Sequence, residues 1–278
     1  MLIDSHAHLN FNAFNKDRAS VIEKCLKNDV WMINIGTNFV SSQKAVEIAK
    51  DYPEGIFATV GLHPINLDTG LVKIKIDTLE PKSFEKEFDY KKYRKLAKSE
   101  KVVAIGEIGL DYYWKPKTTK KKELFKQKQK ELLVEELKLA KELTLPVIFH
   151  CRMAHQDLVE FLKDNPTMKP ERAVAHGFVG NTDELQGYLD FGFYIGFNGI
   201  IFKQIEGIDF EANIKKTPLD RMLVETDCPY LTPPQKENQR NIPLFVKYVV
   251  ERIAKIKETS VDEVERVTTD NAKKLFKL

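Results

Sequence analysis

Residues 102–111 read VVAIGEIGLD. Five residues without charge or hydrogen-bonding side chain run straight into an acid, Glu107. A run of this kind is a strand buried on both faces, as in a parallel sheet covered by helices. PVIF at 146–149 has the same character. Working outward, the spacing predicts strands at Leu2–His6, Trp31–Ile35, Ile56–Val60, Val102–Glu107, Pro146–His150, Ala173–His176, Phe193–Gly196 and Met222–Glu225. Helical periodicity fills the intervals, at Ala19–Asn28, Val40–Lys50, Lys120–Leu143 and Leu244–Ile256. Leu133, Leu137 and Ala140 mark one apolar stripe. Ser260-Val-Asp-Glu263 reads as a capping box opening a last helix.

Strand and helix in alternation indicate βα units around a parallel sheet. Eight such units fit a closed (β/α)8 barrel, a fold of about 250 residues. An open doubly wound sheet is the rival, but no glycine-rich phosphate loop follows any strand. Asn66–Ser99 is charged and weakly periodic, and is expected to be an extended loop plus one helix after the third strand. No linker or repeat interrupts the chain, so residues 1–278 are expected to form one domain.

Composition narrows the class. A hydrophobic share of 42% with 31% charged residues excludes a disordered chain. Forty-four Lys and Arg against 41 Asp and Glu leave +3, which permits an anionic substrate without requiring one. Cys25, Cys151 and Cys228 are odd in number and far apart, so no disulfide framework is expected. The start MLIDSHAHLN has no signal-peptide character and no apolar run approaches the roughly 18 residues of a membrane span. A cytoplasmic protein without membrane partners, sufficient as a monomer, is the expectation.

The ends of the predicted strands carry the chemistry, and in a barrel they surround the mouth where active sites lie. The first strand runs into His6-Ala7-His8. Alternation puts both imidazoles on one side, with Asp4 able to support them. The fourth ends at Glu107, which as a buried carboxylate needs a partner. The fifth ends at His150, the sixth at His176, and the eighth runs into Asp227. Singly, each has an ordinary explanation: a core histidine, a salt-bridged acid, a capping aspartate. Jointly, four histidines and two acids at the ends of five strands point to a metal site. Six imidazole and carboxylate ligands exceed the three protein ligands usual for one catalytic zinc. A carboxylate also bridges paired ions. Glu107 is the natural bridge, with His6, His8 and Asp227 on one ion and His150 and His176 on the other. Two divalent ions, Mg, Mn or Zn among others, suit this set. Cys151 and Cys228 read as packing residues.

DSHAHL, VGLHP, GEIGLDYY, FHCR, AHGF and ETDCPYL occur in this order from Ile3 to about Phe276. The set resembles the TatD family of metal-dependent hydrolases, within the amidohydrolase-like barrels. The resemblance implies a dinuclear site on the same six residues, with His63 of the GxHP motif at the scissile group and Arg152 of the HCR motif on substrate phosphate. It implies a deoxyribonuclease, commonly a 3′-to-5′ exonuclease; from the ligand set itself, Asp227 is expected to act as general base beside the Glu107 bridge. Ile242 replaces the acid of an RNEP-like motif in Arg240-Asn-Ile-Pro243, which puts a local ion pair or substrate contact in question. The 66–99 stretch looks longer than usual and borders the mouth.

Nucleic acid is the expected partner. Lysines 115, 117, 120, 121, 122, 126, 128 and 130 form a basic stretch. They could track a phosphate backbone or simply solvate a helix. Tyr113, between Tyr112 and Trp114, could stack on a base. Hydrolysis of a D-aminoacyl-tRNA ester at the same site is the alternative reading. A non-catalytic metal- or nucleic-acid-binding protein is a third. Deaminase-type relatives commonly bridge their metals with a carboxylated lysine, and Glu107 in that place argues against them.

Overall fold

The computed structural model describes residues 1–74, 78–81 and 83–278. Eight parallel strands form one sheet in sequence order: β1 Leu2–Ala7, β2 Val30–Asn34, β3 Ile56–Val60, β4 Val102–Asp111, β5 Val147–Arg152, β6 Ala173–Ala175, β7 Tyr194–Phe197 and β8 Met222–Val224. The helices are α1 Arg18–Leu26, α2 Phe39–Lys50, α3 Tyr90–Ala97, α4 Thr119–Leu143, α5 His155–Asp164, α6 Thr182–Asp190, α7 Phe210–Lys216, α8 Val246–Lys257 and α9 Val261–Phe276. This is the (β/α)8 barrel expected from the alternation.

The seam closes where β1 meets the segment after β8. Ala7 bridges Cys228 in parallel, His8 N donates to Cys228 O at 2.9 Å and Asp227 N donates to His6 O at 2.8 Å. Residues expected to carry chemistry therefore also close the barrel.

Two apolar layers follow from strand alternation. Ile3, Ile33, Ala104, Ile148, Val174 and Leu223 pack with one another, joined by Ala272, Leu275 and Phe276 of α9. Side chains of opposite facing meet the helices; Leu133 and Leu137 of α4 are buried there, each burial worth roughly 1.5–3 kcal/mol. Side-chain caps open α2, α3, α4, α6, α7 and α9, but not α1, α5 or α8. Asn38 with Ser41 and Asn181 with Glu184 form reciprocal capping boxes. Ser260 caps Glu263 N at 3.1 Å, but the reciprocal bond expected of a box is not formed.

Two expected strand ends need correction. β5 continues past His150 to Arg152. β4 does not end at Glu107 but continues to Asp111. Its ladder with β5 shifts register between Ile105 and Ile108, around Glu107. The β1–β2 ladder shifts likewise between Asp4 and Ala7, around His6. Such irregularities re-aim a side chain without ending the strand. The described part of 66–99 contains a bridge between Leu67 and Glu85, then α3. Residues 75–77 and 82 of that stretch lie outside the described residues.

Candidate metal centre

Glu107 is 4% exposed and stands at the middle of five histidines. Its Oε1 lies 2.8 Å from His150 Nδ1, 3.2 Å from His176 Nε2 and 3.5 Å from His63 Nε2. Its Oε2 lies 3.3 Å from His6 Nε2 and 4.0 Å from His8 Nε2. Asp227 Oδ1 completes the second group, 3.2 Å from His8 Nε2 and 3.8 Å from His6 Nε2. No Lys or Arg pairs with Glu107 among the described residues. The ordinary explanation for a buried strand acid is thus removed.

The hydrogen bonds at the outer ring nitrogens assign the protons. His176 Nδ1 lies 3.0 Å from the buried Glu225 carboxylate, and His8 Nδ1 lies 3.4 Å from Ile35 O. Both acceptors call for a proton on Nδ1, which leaves the Nε2 lone pair directed at the acids. His150 reverses the pattern: Nε2 faces Asp111 Oδ2 at 3.0 Å, and Nδ1 is the atom it turns to Glu107 Oε1, at 2.8 Å. His63 differs in kind. Its Nδ1 accepts from Ile65 N at 3.1 Å, so the proton of the neutral ring sits on Nε2, the atom facing Glu107. His63 is built to donate a hydrogen bond, although it groups with Glu107 and His150 by distance.

Burial alone would raise Glu107, but His176, His63 and His6, with the His150 hydrogen bond, hold it well below the usual carboxylate range. Burial likewise works against Asp227, and the His8 contact keeps it low and ionised. Burial opposes protonation of His150, yet Asp111 and Glu107 push it up to about 9. Burial and His63's neighbour His150 hold His63 below its ordinary value.

The residues fit a divalent cation. His6 is fully buried and neither ring nitrogen makes a hydrogen bond. Such an orphan is costly unless something else satisfies it. His6, His8 and Glu107 form one group able to hold an ion; His6, His176 and Asp227 form another. Cysteines take no part in these groups. Cys151 is packed into the main core, its thiol pushed up to about 12 by burial, and burial likewise pushes the Cys228 thiol well up.

A cavity of about 220 Å³ opens over the nest, lined among others by His8, His63, Glu107, Arg152, His176 and Asp227. Glu80, from the 66–99 stretch, and Tyr230 close one side, with Tyr230 Oη donating to Glu80 Oε1 at 3.0 Å. Tyr113 is not in this wall; 48% exposed, it stacks on the Arg152 guanidinium 3.7 Å from the ring centre. A wider groove of about 870 Å³ between Ile201–Glu211 and α8 has no histidine, so size alone does not mark the chemistry.

Sequence reasoning missed two acids. Asp111 and Glu225 are buried and hold His150 and His176. Each follows a buried strand run, the signal that singled out Glu107. Asp4 was expected to support a histidine ring; instead it accepts from the backbone N of His6 and of Thr226 at 3.2 and 2.9 Å. It ties the two strand ends rather than a ring. Arg240 makes its ion pair with Asp17, Nη2 to Oδ2 at 2.7 Å, while Ile242 packs against the core. The pair does not depend on residue 242.

Barrel and nest together define a metal-dependent hydrolase. Residues 3–277 match the family model described as TatD related DNase, and the chain belongs to that family. It is 36% identical over 280 residues to the uncharacterized metal-dependent hydrolase YabD of Bacillus subtilis, across 100% of both chains. It is 32% identical over 282 residues to a protein named 3′-5′ ssDNA/RNA exonuclease TatD from Edwardsiella piscicida, again across 100% of both. Among solved structures, the TatD homologue YjjV of Escherichia coli K12 superposes with a TM-score of 0.81 at 28% identity, covering 100% of this chain and 98% of that one. Among the described residues no helix is long and apolar enough to cross a membrane.

Proposed function

We propose that this chain hydrolyses phosphodiester bonds of single-stranded nucleic acid from the 3′ end, DNA foremost, with two divalent ions held by His6, His8, Glu107, His150, His176 and Asp227. The observation that carries the reading is the division of one carboxylate: Glu107 Oε1 faces His150 and His176, while Oε2 faces His6 and His8. A relative named for 3′-5′ exonuclease action on ssDNA and RNA supports the substrate class. When bound, paired divalent ions lower the pKa of a water and offset charge on phosphoryl oxygens.

The protein supplies the rest. Asp227, kept ionised, accepts the proton of the attacking water as general base. His63 donates from Nε2 to the oxygen on which negative charge grows. Arg152, steadied by the Tyr113 ring, binds a phosphate oxygen of the substrate.

The test is the purified chain with Mg, Mn or Zn on a 5′-labelled single-stranded oligonucleotide. Expected are shortening from the 3′ end, release of 5′-mononucleotides, two ions per chain by elemental analysis, and loss of activity in chelator. Asp227→Asn is expected to lower kcat by about 10²–10⁴-fold with ions retained. Full turnover by a metal-loaded Asp227→Asn protein removes the base assignment. D-aminoacyl-tRNA deacylation without nucleotide release overturns the nuclease reading.

A further inference from the structure

β4 and β5 remain paired to their last residues, Asp111 opposite Arg152. Asp111 and Arg152 face the cavity over the nest. The next residues, Tyr112 and Met153, line a second cavity of about 330 Å³. Tyr112 N donates to Arg152 O at 2.9 Å, so one backbone wall separates the two.

The second cavity has an aromatic lining and a basic rim, with Lys126 Nζ 4.9 Å over the Tyr112 ring. Trp114 and Tyr112 line it, Phe125 and Pro116 are buried beneath, and Lys115, Lys122 and Lys126 stand around it. Met153, 60% exposed, forms the lip nearest Arg152. The structure sorts the lysine stretch. Lys126 and Lys130 reach Asp157 at 4.0 and 3.4 Å, and Lys128 Nζ donates to Thr69 O at 3.3 Å. Lys115 and Lys122 are exposed on the cavity rim.

We propose that this second cavity is a subsite for the penultimate nucleotide of a single-stranded nucleic acid. Trp114 stacks on its base, and Lys115 and Lys122 take its phosphate. The strand passes from the nest over Arg152 and Met153. An aromatic face serves any base, and lysines bind the backbone without reading sequence. The subsite is therefore sequence-tolerant and lengthens the grip on a polymer. The proposal rests on the nucleic-acid reading of the metal centre.

Two substrates separate the proposals. A single-stranded oligonucleotide occupies both cavities; the p-nitrophenyl ester of thymidine 5′-monophosphate has no penultimate nucleotide. Trp114→Ala is expected to weaken binding of a fluorescent oligonucleotide, read by anisotropy in chelator, by about tenfold or more. It is expected to leave kcat/KM on the nitrophenyl ester within twofold. Met153→Glu, a change at an exposed lip, is expected to act in the same direction. Lys115→Gln with Lys122→Gln is expected to reduce the slope of log Kd against log salt by about 0.7, for the one phosphate they share on a single strand. Unchanged oligonucleotide affinity in Trp114→Ala and Met153→Glu, with trimming intact, overturns the subsite alone. So does an equal loss on both substrates. A wild-type protein that cleaves the nitrophenyl ester but neither binds nor trims oligonucleotides overturns the nucleic-acid reading, and the subsite with it.

Discussion

His155 stands away from Glu107, unlike the other five histidines. It is buried between Tyr188, whose Oη lies 2.9 Å from its Nδ1, and Val179 O, 3.1 Å from its Nε2. Burial, against the Val179 contact, lowers it to about 4. The unfolded chain takes up this proton near pH 6.5 and the folded chain only near 4. Its stabilising contribution is thus complete above about 6.5 and lost as the pH falls to 4. The amount is about 3 kcal/mol at 1.36 per unit. Urea midpoints from pH 7 to 4 are expected to fall less steeply for His155→Phe than for wild type; parallel curves contradict the assignment. Glu225 and Asp111 act on metal affinity instead. Glu225→Gln removes the charge that fixes the His176 ring. Weaker uptake of metal by about 10–100-fold is expected, with the barrel's circular dichroism retained.

At the scale of elements, β4 is the instructive strand. Its apolar half was plain in the sequence because uniform burial leaves no polar alternation. Its second half was not, because Glu107 looks like an ending and the register shift around it leaves no mark in residue types. The same limit hid Asp111, which lies beyond that apparent end. His150 and His176 were legible because each follows an apolar run, His6 and His8 because strand alternation puts them on one side, and Asp227 because it lies just past a strand end, whereas His63 and Arg152 were read only through family resemblance. The short helices α5, α6 and α7 escaped individual reading, being at most ten residues long. Gly109 shows why β4 and β5 approach so closely. Its φ is +143°, and a Cβ there would overlap the His150 carbonyl oxygen. Gly109→Ala is expected to cost about 1–3 kcal/mol in urea unfolding and to reduce metal binding, since the backbone that carries His150 must shift.

Over the whole molecule, the proposed ion site between β1 and the β8 end links metal uptake to global folding. A ligand at 100 times its Kd adds about 2.7 kcal/mol to a state that alone binds it. Chelator is expected to lower the Tm by several degrees, and excess Mn or Zn to restore it. In Asp227→Ala the metal-dependent rise is expected to shrink, because one of the two groups has lost its acid. A Tm indifferent to metal in wild type contradicts tight binding at this place.

His6 and Asp227 are separated by most of the polypeptide, yet Asp227 N bonds to His6 O. A partly synthesised chain still holding residue 227 inside the ribosome carries its first two imidazoles opposite Glu107 but without the Asp227 carboxylate. Hydrolytic competence therefore arrives late in translation, when the closing staple of the barrel emerges.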